Sequence, residues 1–234
     1  MQAPPPNVTF GALPRKRTAY GSGTFPKWED KFDLFPRKNW QPVSLNRHVK
    51  TIYDQLDGMC TANGATGVMM TERSIRGRRP HVTLSPEHLY GLVARWGEGS
   101  SLDEILQAMV EIGVCSRDMI PQENWRPIDW PNEDFWRADA AQNRMLEWID
   151  LNADFDAVAT ALQQHRPCLV GVRWPGGGGH AVGVTELWQD VRGWGIAGPN
   201  SWGPKWNYDG FYELTERQCA DFGTFGCWAA GAST

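Results

Sequence analysis

The chain has 234 residues, 41% of them apolar and thirteen of them tryptophan, with 23 Lys or Arg against 27 Asp or Glu for a net charge of −4. That is enough to bury a proper core as one two-part globular unit or two small domains. No run approaches the ~18 apolar residues of a membrane span, and Met1-Gln2-Ala3-Pro4-Pro5-Pro6 lacks the basic-then-apolar pattern of a secretory signal, so neither membrane insertion nor export by that route is expected, and a cytoplasmic location is, with virion association as the alternative. Five cysteines, Cys60, Cys115, Cys168, Cys219 and Cys227, form no Cys-x-x-Cys pair, and their odd number leaves at least one free thiol. No metal and no organic cofactor is expected, a reducing compartment fits, and a Cys219–Cys227 pair stays open.

Residues 1–39 read as a Pro- and Gly-rich extension with little periodicity, either wrapping the body or partly disordered. Residues 1–50 carry nine Lys or Arg against three Asp or Glu, while the rest carries fourteen against twenty-four. The front is therefore a basic arm, clearest at Pro14-Arg15-Lys16-Arg17, and its partner is open between an acidic assembly surface, nucleic acid and the protein's own body. Trp40 to Leu45 reads as an edge strand pairing with a later sheet. From Cys60, Ala62, Ala65, Thr66, Met69 and Met70 suit a helix with small residues on its packing face. Ser85 before Pro86 opens a second helix through Leu89, Leu92, Val93 and Trp96. Ser101-Leu102-Asp103-Glu104 is a capping box before a third, and Asp154 starts another that stops at Arg166-Pro167. Beyond Pro167, Cys168 to Trp174, Ala181 to Trp188, Val191 to Ala197 and Gly210 to Leu214 read as an antiparallel sheet. The expected class is α+β in two lobes: residues 40–153 mainly helical, residues 154–234 mainly β, with a cleft between them.

Three segments carry chemistry. Gln55-Leu56-Asp57-Gly58-Met59-Cys60, Gly179-His180-Ala181-Val182 and Asn200-Ser201-Trp202-Gly203 supply a carboxamide, a thiol, an imidazole and a second carboxamide in chain order. A thiol with a free pKa of about 8.5 is a poor nucleophile until an imidazole and a helix N-terminus favour its thiolate. The imidazole in turn needs an acceptor on its other nitrogen, and the charge that develops on a carbonyl oxygen under attack needs donors. His48, His81, His88 and His165 lack such company and read as surface or capping residues, while Cys115, Cys168 and Cys219 read as small buried hydrophobes.

In these motifs and their order the chain resembles the papain-like cysteine peptidases, from about Trp40 to about Trp228, and is closest to their bacterial and phage branch through Cys60-Thr61-Ala62-Asn63. The resemblance implies a two-lobed fold, peptide or protein substrates and no cofactor. It implies Cys60 as nucleophile, His180 as base, Asn200 as its orienter, and Gln55 with the Cys60 N–H as oxyanion donors. It further implies that Gly97, Gly99 and Ser100 pair with substrate backbone, that Gly179 lets a peptide approach the histidine, and that Trp202 and Trp206 shield the His–Asn bond. The chain departs from the family at three points. Four residues rather than the usual five separate Gln55 from Cys60, Asp57 stands where secreted relatives carry a disulfide cysteine, and Pro199 precedes Asn200. The arm is shorter than the inhibitory propeptide of secreted relatives. The other reading is a catalytically silent scaffold of the same fold, binding or building through that arm.

Overall fold

The computed structural model describes residues 3–6, 8–15, 25–78, 82–94, 99–175, 177–220 and 222–234. Its helices are α1 (Cys60–Ile75), α2 (Pro86–Val93), α3 (Leu102–Glu111), α4 (Glu133–Ala141), α5 (Phe155–Gln163) and α6 (Phe222–Phe225). Its strands are β1 (Ala12–Leu13), β2 (Val43–Ser44), β3 (Ser100–Ser101), β4 (Met145–Asp150), β5 (Cys168–Arg173), β6 (Gly179–Val184), β7 (Glu186–Asp190), β8 (Gly193–Pro199), β9 (Phe211–Thr215) and β10 (Cys227–Ser233). The architecture is mixed, helices beside antiparallel sheet.

Helix starts follow their caps. Ser85 accepts from the His88 N–H with Pro86 at the first helical position, Ser101 and Glu104 complete both halves of the capping box, and Asp154 accepts from the Asp156 N–H. Helix α1 has no side-chain cap and depends on burial instead. Its small residues let it lie close on β5 and β6: a Cβ added at Gly64 would sit 2.9 Å from Leu169 Cδ1 and 3.4 Å from the Ala181 carbonyl oxygen.

The strands form two four-stranded sheets ordered β4-β10-β5-β6 and β2-β7-β8-β9. The expected single strand from Ala181 to Trp188 is two strands, because the chain leaves one sheet and joins the other at Thr185. There the buried Thr185 N–H donates to Ala197, its carbonyl accepts from Leu45 and its hydroxyl donates to Asn46, so the turn between sheets is fully bonded. The Trp40-to-Leu45 segment pairs as expected, with Val43 opposite Leu187. Within the span read as helical, Met145–Asp150 forms an edge strand on β10.

One core gathers α1, α2 and α3 around Met69, Leu89, Ile105 and Trp148, and a second fills the space between the sheets and α5 around Trp174, Val182, Leu187 and Ile196. His88 corrects the surface assignment: it is buried in a smaller aromatic cluster between Trp130 and Trp136, where burial lowers its pKa to about 3. All five cysteines are buried and free, so Cys219 and Cys227 do not pair.

The front segment wraps the body. Trp28, Phe32 and Leu34 pack against the second core, the Asp150 N–H donates to the Pro26 carbonyl, and Arg37 bonds both Asp156 and Glu216. Of its basic residues, Arg15, Lys31 and Arg37 find acidic partners on the chain itself, Lys31 with Glu147. Lys16 and Arg17 lie outside the described residues. No helix among the described residues is long and apolar enough to cross a membrane.

Candidate active site

The N-terminus of α1 meets the start of β6, and four of the residues singled out in the sequence lie in that corner. Cys60 is the first residue of α1 and fully buried, at the end of the helix where unpaired N–H groups and the backbone dipole favour negative charge. On β6, the His180 ring Nε2 lies 2.7 Å from Asn200 Oδ1. The Ser201 N–H also donates to that oxygen, at 2.7 Å, which marks it as the acceptor and makes Nε2 the protonated nitrogen. Nδ1 is left buried with no hydrogen-bond partner among the described residues, a lone pair able to take a proton. Trp202 stacks on the imidazole at 4.6 Å between centroids, and Trp174 meets it edge-on at 5.0 Å. Trp206 stands one layer back, edge-on to Trp202 at 5.0 Å.

Gln55 is held from both sides. Its Oε1 accepts from Ser201 Oγ at 2.5 Å, and its Nε2 donates to the Asp57 carbonyl at 2.8 Å and to the Thr9 carbonyl at 3.1 Å. The Gln55 N–H donates to the Ser201 carbonyl and the Gly203 N–H to that of Tyr53, so the glutamine loop and the asparagine loop are zipped together. Across the cleft, Thr61 Oγ1 and Ser100 Oγ share a 2.5 Å hydrogen bond, which fixes the Gly99–Ser101 strand on the first turn of α1. Gly97 lies outside the described residues.

The cleft is filled by the chain's own residues 8–15, which the sequence reading left without a role. Phe10 places its ring edge-on to both His180 and Trp202, with centroids 6.0 and 6.2 Å away. Gly11 backs onto the glutamine loop so closely that a Cβ there would lie 1.6 Å from the Gly58 carbonyl oxygen. Its own carbonyl accepts from the Ser100 N–H at 2.9 Å, and Ala12–Leu13 run parallel to Ser100–Ser101. Gly99 and Gly179 supply the room, since a Cβ on either would strike the Gly11 or the Ala12 carbonyl oxygen at 2.1 and 2.2 Å. At the far end Arg15 bonds Asp150 at 2.7 Å and Asp103 at 3.3 Å and covers the Trp228 ring. The peptide that approaches the histidine is thus internal. Eight extended residues reach about 26–29 Å, enough to cross a cleft. The available signal was Phe10-Gly11-Ala12-Leu13, an apolar and small-residue run inside a Pro- and Lys-rich arm.

Burial sets the electrostatics of the corner. Burial raises the Cys60 thiol pKa above its ordinary value, against backbone hydrogen bonds from Ala181, Gly11, Thr61 and Ala12 that favour the thiolate. Burial lowers His180 to about 4, against the Asn200 bond that favours its cation. With residues 8–15 in place the buried corner favours a neutral thiol and a neutral imidazole. Among the described residues no cluster of His, Cys, Asp or Glu could hold a metal.

No family model matches the chain, and no curated protein matches it in sequence. Solved structures do match in shape. Xylellain, a cysteine protease from Xylella fastidiosa, superposes with a TM-score of 0.80 at 18% identity, over 96% of each chain. Digestive procathepsin L2 from the Tenebrio molitor larval midgut gives 0.74 at 17% identity over 95% of this chain and 78% of its own. Procathepsin B from Trypanosoma congolense gives 0.70 at 16% over 97% and 87%. The helix-and-sheet architecture that brings Cys60 beside β6 is the fold of the papain-like cysteine proteases.

Proposed function

We propose that the chain is a papain-like cysteine peptidase held latent by its own residues 8–15. The observation that carries this reading is the bond from His180 Nε2 to Asn200, which leaves Nδ1 free in the same corner as a helix-terminal cysteine. In the open site Nδ1 takes the Cys60 proton and the thiolate attacks a peptide carbonyl carbon. Gln55 Nε2 and the Cys60 N–H then hold the oxyanion. Gln55 is suited to that role, since it already donates to a peptide carbonyl, that of Thr9. The imidazolium protonates the leaving amine as the C–N bond breaks. Water, losing its proton to Nδ1, hydrolyses the thioester and restores the thiol. Asn200 keeps the ring in the productive tautomer, and Trp202 keeps water from that bond.

The direction of the arm supports inhibition rather than self-cleavage. A substrate paired on Gly99–Ser101 through its acyl side places the paired residues before the attacked carbonyl. Here the residues that pair with Ser100 and Ser101 follow Thr9, so the arm runs in the opposite sense and offers no bond in register. The neighbours named as procathepsins are proforms too. A silent scaffold of the same fold is the competing reading, favoured by the buried, neutral Cys60 and His180. Hydrolysis of a fluorogenic peptide mixture decides between them: turnover that appears when Gly11→Val displaces the arm, and disappears in Gly11→Val/Cys60→Ala, supports the peptidase. A displaced arm with no turnover favours the scaffold.

A further inference from the structure

Beyond the Trp202 and Trp206 side of the cleft lies a second concavity, of about 490 Å³, that residues 8–15 leave open. Half of its lining is aromatic, Trp174, Trp188, Trp206, Tyr208 and Tyr212, and the other half is polar or charged. Trp174 and Trp206 belong to the stack that continues through Trp202 to His180, so the concavity is joined to the reaction centre by contiguous rings. The cation in its lining, Arg192, sits over Trp188 with its guanidinium carbon 4.6 Å from the ring centroid and is bonded by Asp190 and, at 3.6 Å, by Glu213. With its charge matched by those carboxylates, the site does not select an anion. Tyr208 is 71% exposed, an aromatic ring left in water at the rim.

Aromatic rings interleaved with hydrogen-bonding side chains and a charge-compensated arginine suit apolar rings linked by hydrogen-bond acceptors. A proline-rich peptide has this character: its rings are apolar, its prolines lack N–H groups, and its carbonyls find no partners within the strand. Aromatic-lined grooves take such segments because they are pre-ordered and cost little entropy to bind. The chain carries an example at the rim of this concavity. The Trp206 Nε1–H donates to the Ala3 carbonyl at 3.4 Å, the carbonyl next to Pro4-Pro5-Pro6, and Pro4 and Pro5 are half-buried there.

We propose that this aromatic concavity binds proline-rich peptide segments, and that in substrates the segment lies on the leaving-group side of the bond cleaved at Cys60. The second half rests on the peptidase reading, and the first does not. Binding is therefore measured on the full-length Cys60→Ala chain by the anisotropy of a labelled Ala-Pro-Pro-Pro-Ala-Pro-Pro peptide. A Pro-free peptide of equal length and a chitin oligosaccharide serve as rival ligands. We expect saturable binding of the proline peptide, weakened at least about fivefold by Tyr208→Ala, the loss of roughly one aromatic contact, and restored by Tyr208→Phe. Equal binding of the Pro-free peptide, binding of the oligosaccharide alone, no binding, or indifference to Tyr208→Ala each overturns the assignment. For cleavage, Gly11→Val is offered peptides with the proline run after or before a common cleavable stretch. The run placed after it should raise kcat/KM at least about fivefold, an advantage lost with Tyr208→Ala. Cleavage without that preference overturns the substrate half. A chain that binds the peptide yet cleaves nothing refutes the peptidase reading and leaves the binding site standing.

Discussion

The contact between α1 and β6 and the contact between residues 8–15 and the cleft meet at the same cysteine, but different forces hold them. The first is buried apolar surface, with Ala62, Ala65, Leu169 and Ala181 almost wholly removed from water. At roughly 25 cal/mol per Å² of apolar area, such a contact is worth many times the thermal energy and separates only on unfolding. The second is a single strand with a two-residue pairing, one inserted ring, a glycine against a backbone and one arginine between two carboxylates. Contacts of that kind open locally, well below the global unfolding free energy. A rigid body that positions the chemical groups and a separable segment that covers them are the two halves that the proposed latency requires.

The widest separation between the two regions should come from Cys60→Ala. It removes the nucleophile and leaves the α1–β6 packing nearly intact, so peptide turnover in the arm-displaced chain should fall by at least about 10³-fold while thermal unfolding moves little. A residual rate within tenfold of the parent would place the chemistry elsewhere.

Acid should act on the cover before it acts on the body. Burial under the arm holds His180 near pKa 4, whereas an open site returns the imidazole toward its ordinary value of about 6.5. Between those values the open form binds more protons, so the closed form is favoured at pH 7 and loses ground as pH falls from 6.5 to 4. The full shift corresponds to about 3 kcal/mol, on the order of a hundredfold in the open population. The raised Cys60 thiol works in the opposite direction at alkaline pH, where the closed form alone keeps its proton and is weakened. Hydrogen exchange at the Ser100 and Arg15 amides, which donate to Gly11 and Thr224, reports the closed form directly. Protection that stays flat from pH 7 to 4.5, once intrinsic exchange is corrected for, would remove His180 from the coupling.

Steric displacement should be comparable at neutral pH. Any side chain at Gly11 meets the Gly58 carbonyl, which is backbone and cannot rotate away. Gly11→Val should therefore raise the rate of Cys60 alkylation by at least about tenfold, the lower part of the range for overpacking a tight contact, with the melting temperature of the body nearly unchanged. Parent-like alkylation would mean that the arm passes the glutamine loop by another route.

The body was legible from the chain because its elements are local. Ser101 and Glu104, or Ser85 and Pro86, set a helix start within four residues, and the segments around Gln55, Cys60, His180 and Asn200 each keep their chemical residues in one short run. The Thr185 break was hidden because Ala181 to Trp188 is apolar on both sides of Thr185-Glu186 and such a run does not reveal which sheet a strand joins. Met145–Asp150 escaped because a six-residue strand containing Glu147 and Asp150 looks polar until β10 lies beside it. His88 was misjudged because its two tryptophans lie more than forty residues along the chain. The plug was the least legible part: Thr9 to Gln55, Gly11 to Ser100 and Arg15 to Asp150 are all distant pairings, formed by a segment with no periodicity of its own.

Arg15 tests how much of the cover depends on charge. Its guanidinium is mostly buried between Asp103 and Asp150 and lies 5.0 Å over Trp228, so its methylenes and its charge both contribute. Burial already raises the Asp103 pKa, and Arg15 is the first counterweight that lowers it. Arg15→Met keeps the apolar stem over Trp228 and strands two carboxylates, one of them with only 8% of its side chain in contact with solvent. Leaving such a group without its hydrogen-bonding cation costs about 1–2 kcal/mol in the closed form. The open population should rise about five- to thirtyfold, read as faster Cys60 alkylation, and Arg15→Lys should recover part of it because an ammonium restores the charge without the two-pronged geometry. The double variant Asp103→Asn/Asp150→Asn supplies the sharper comparison. It also removes the ion pairs but leaves no unpaired carboxylate, so if the latch works through charge it should open the cleft less than Arg15→Met does. Equal opening in both would assign the hold to packing on Trp228 and to the Phe10 insertion, and would make the arm a hydrophobic plug rather than an electrostatic clasp.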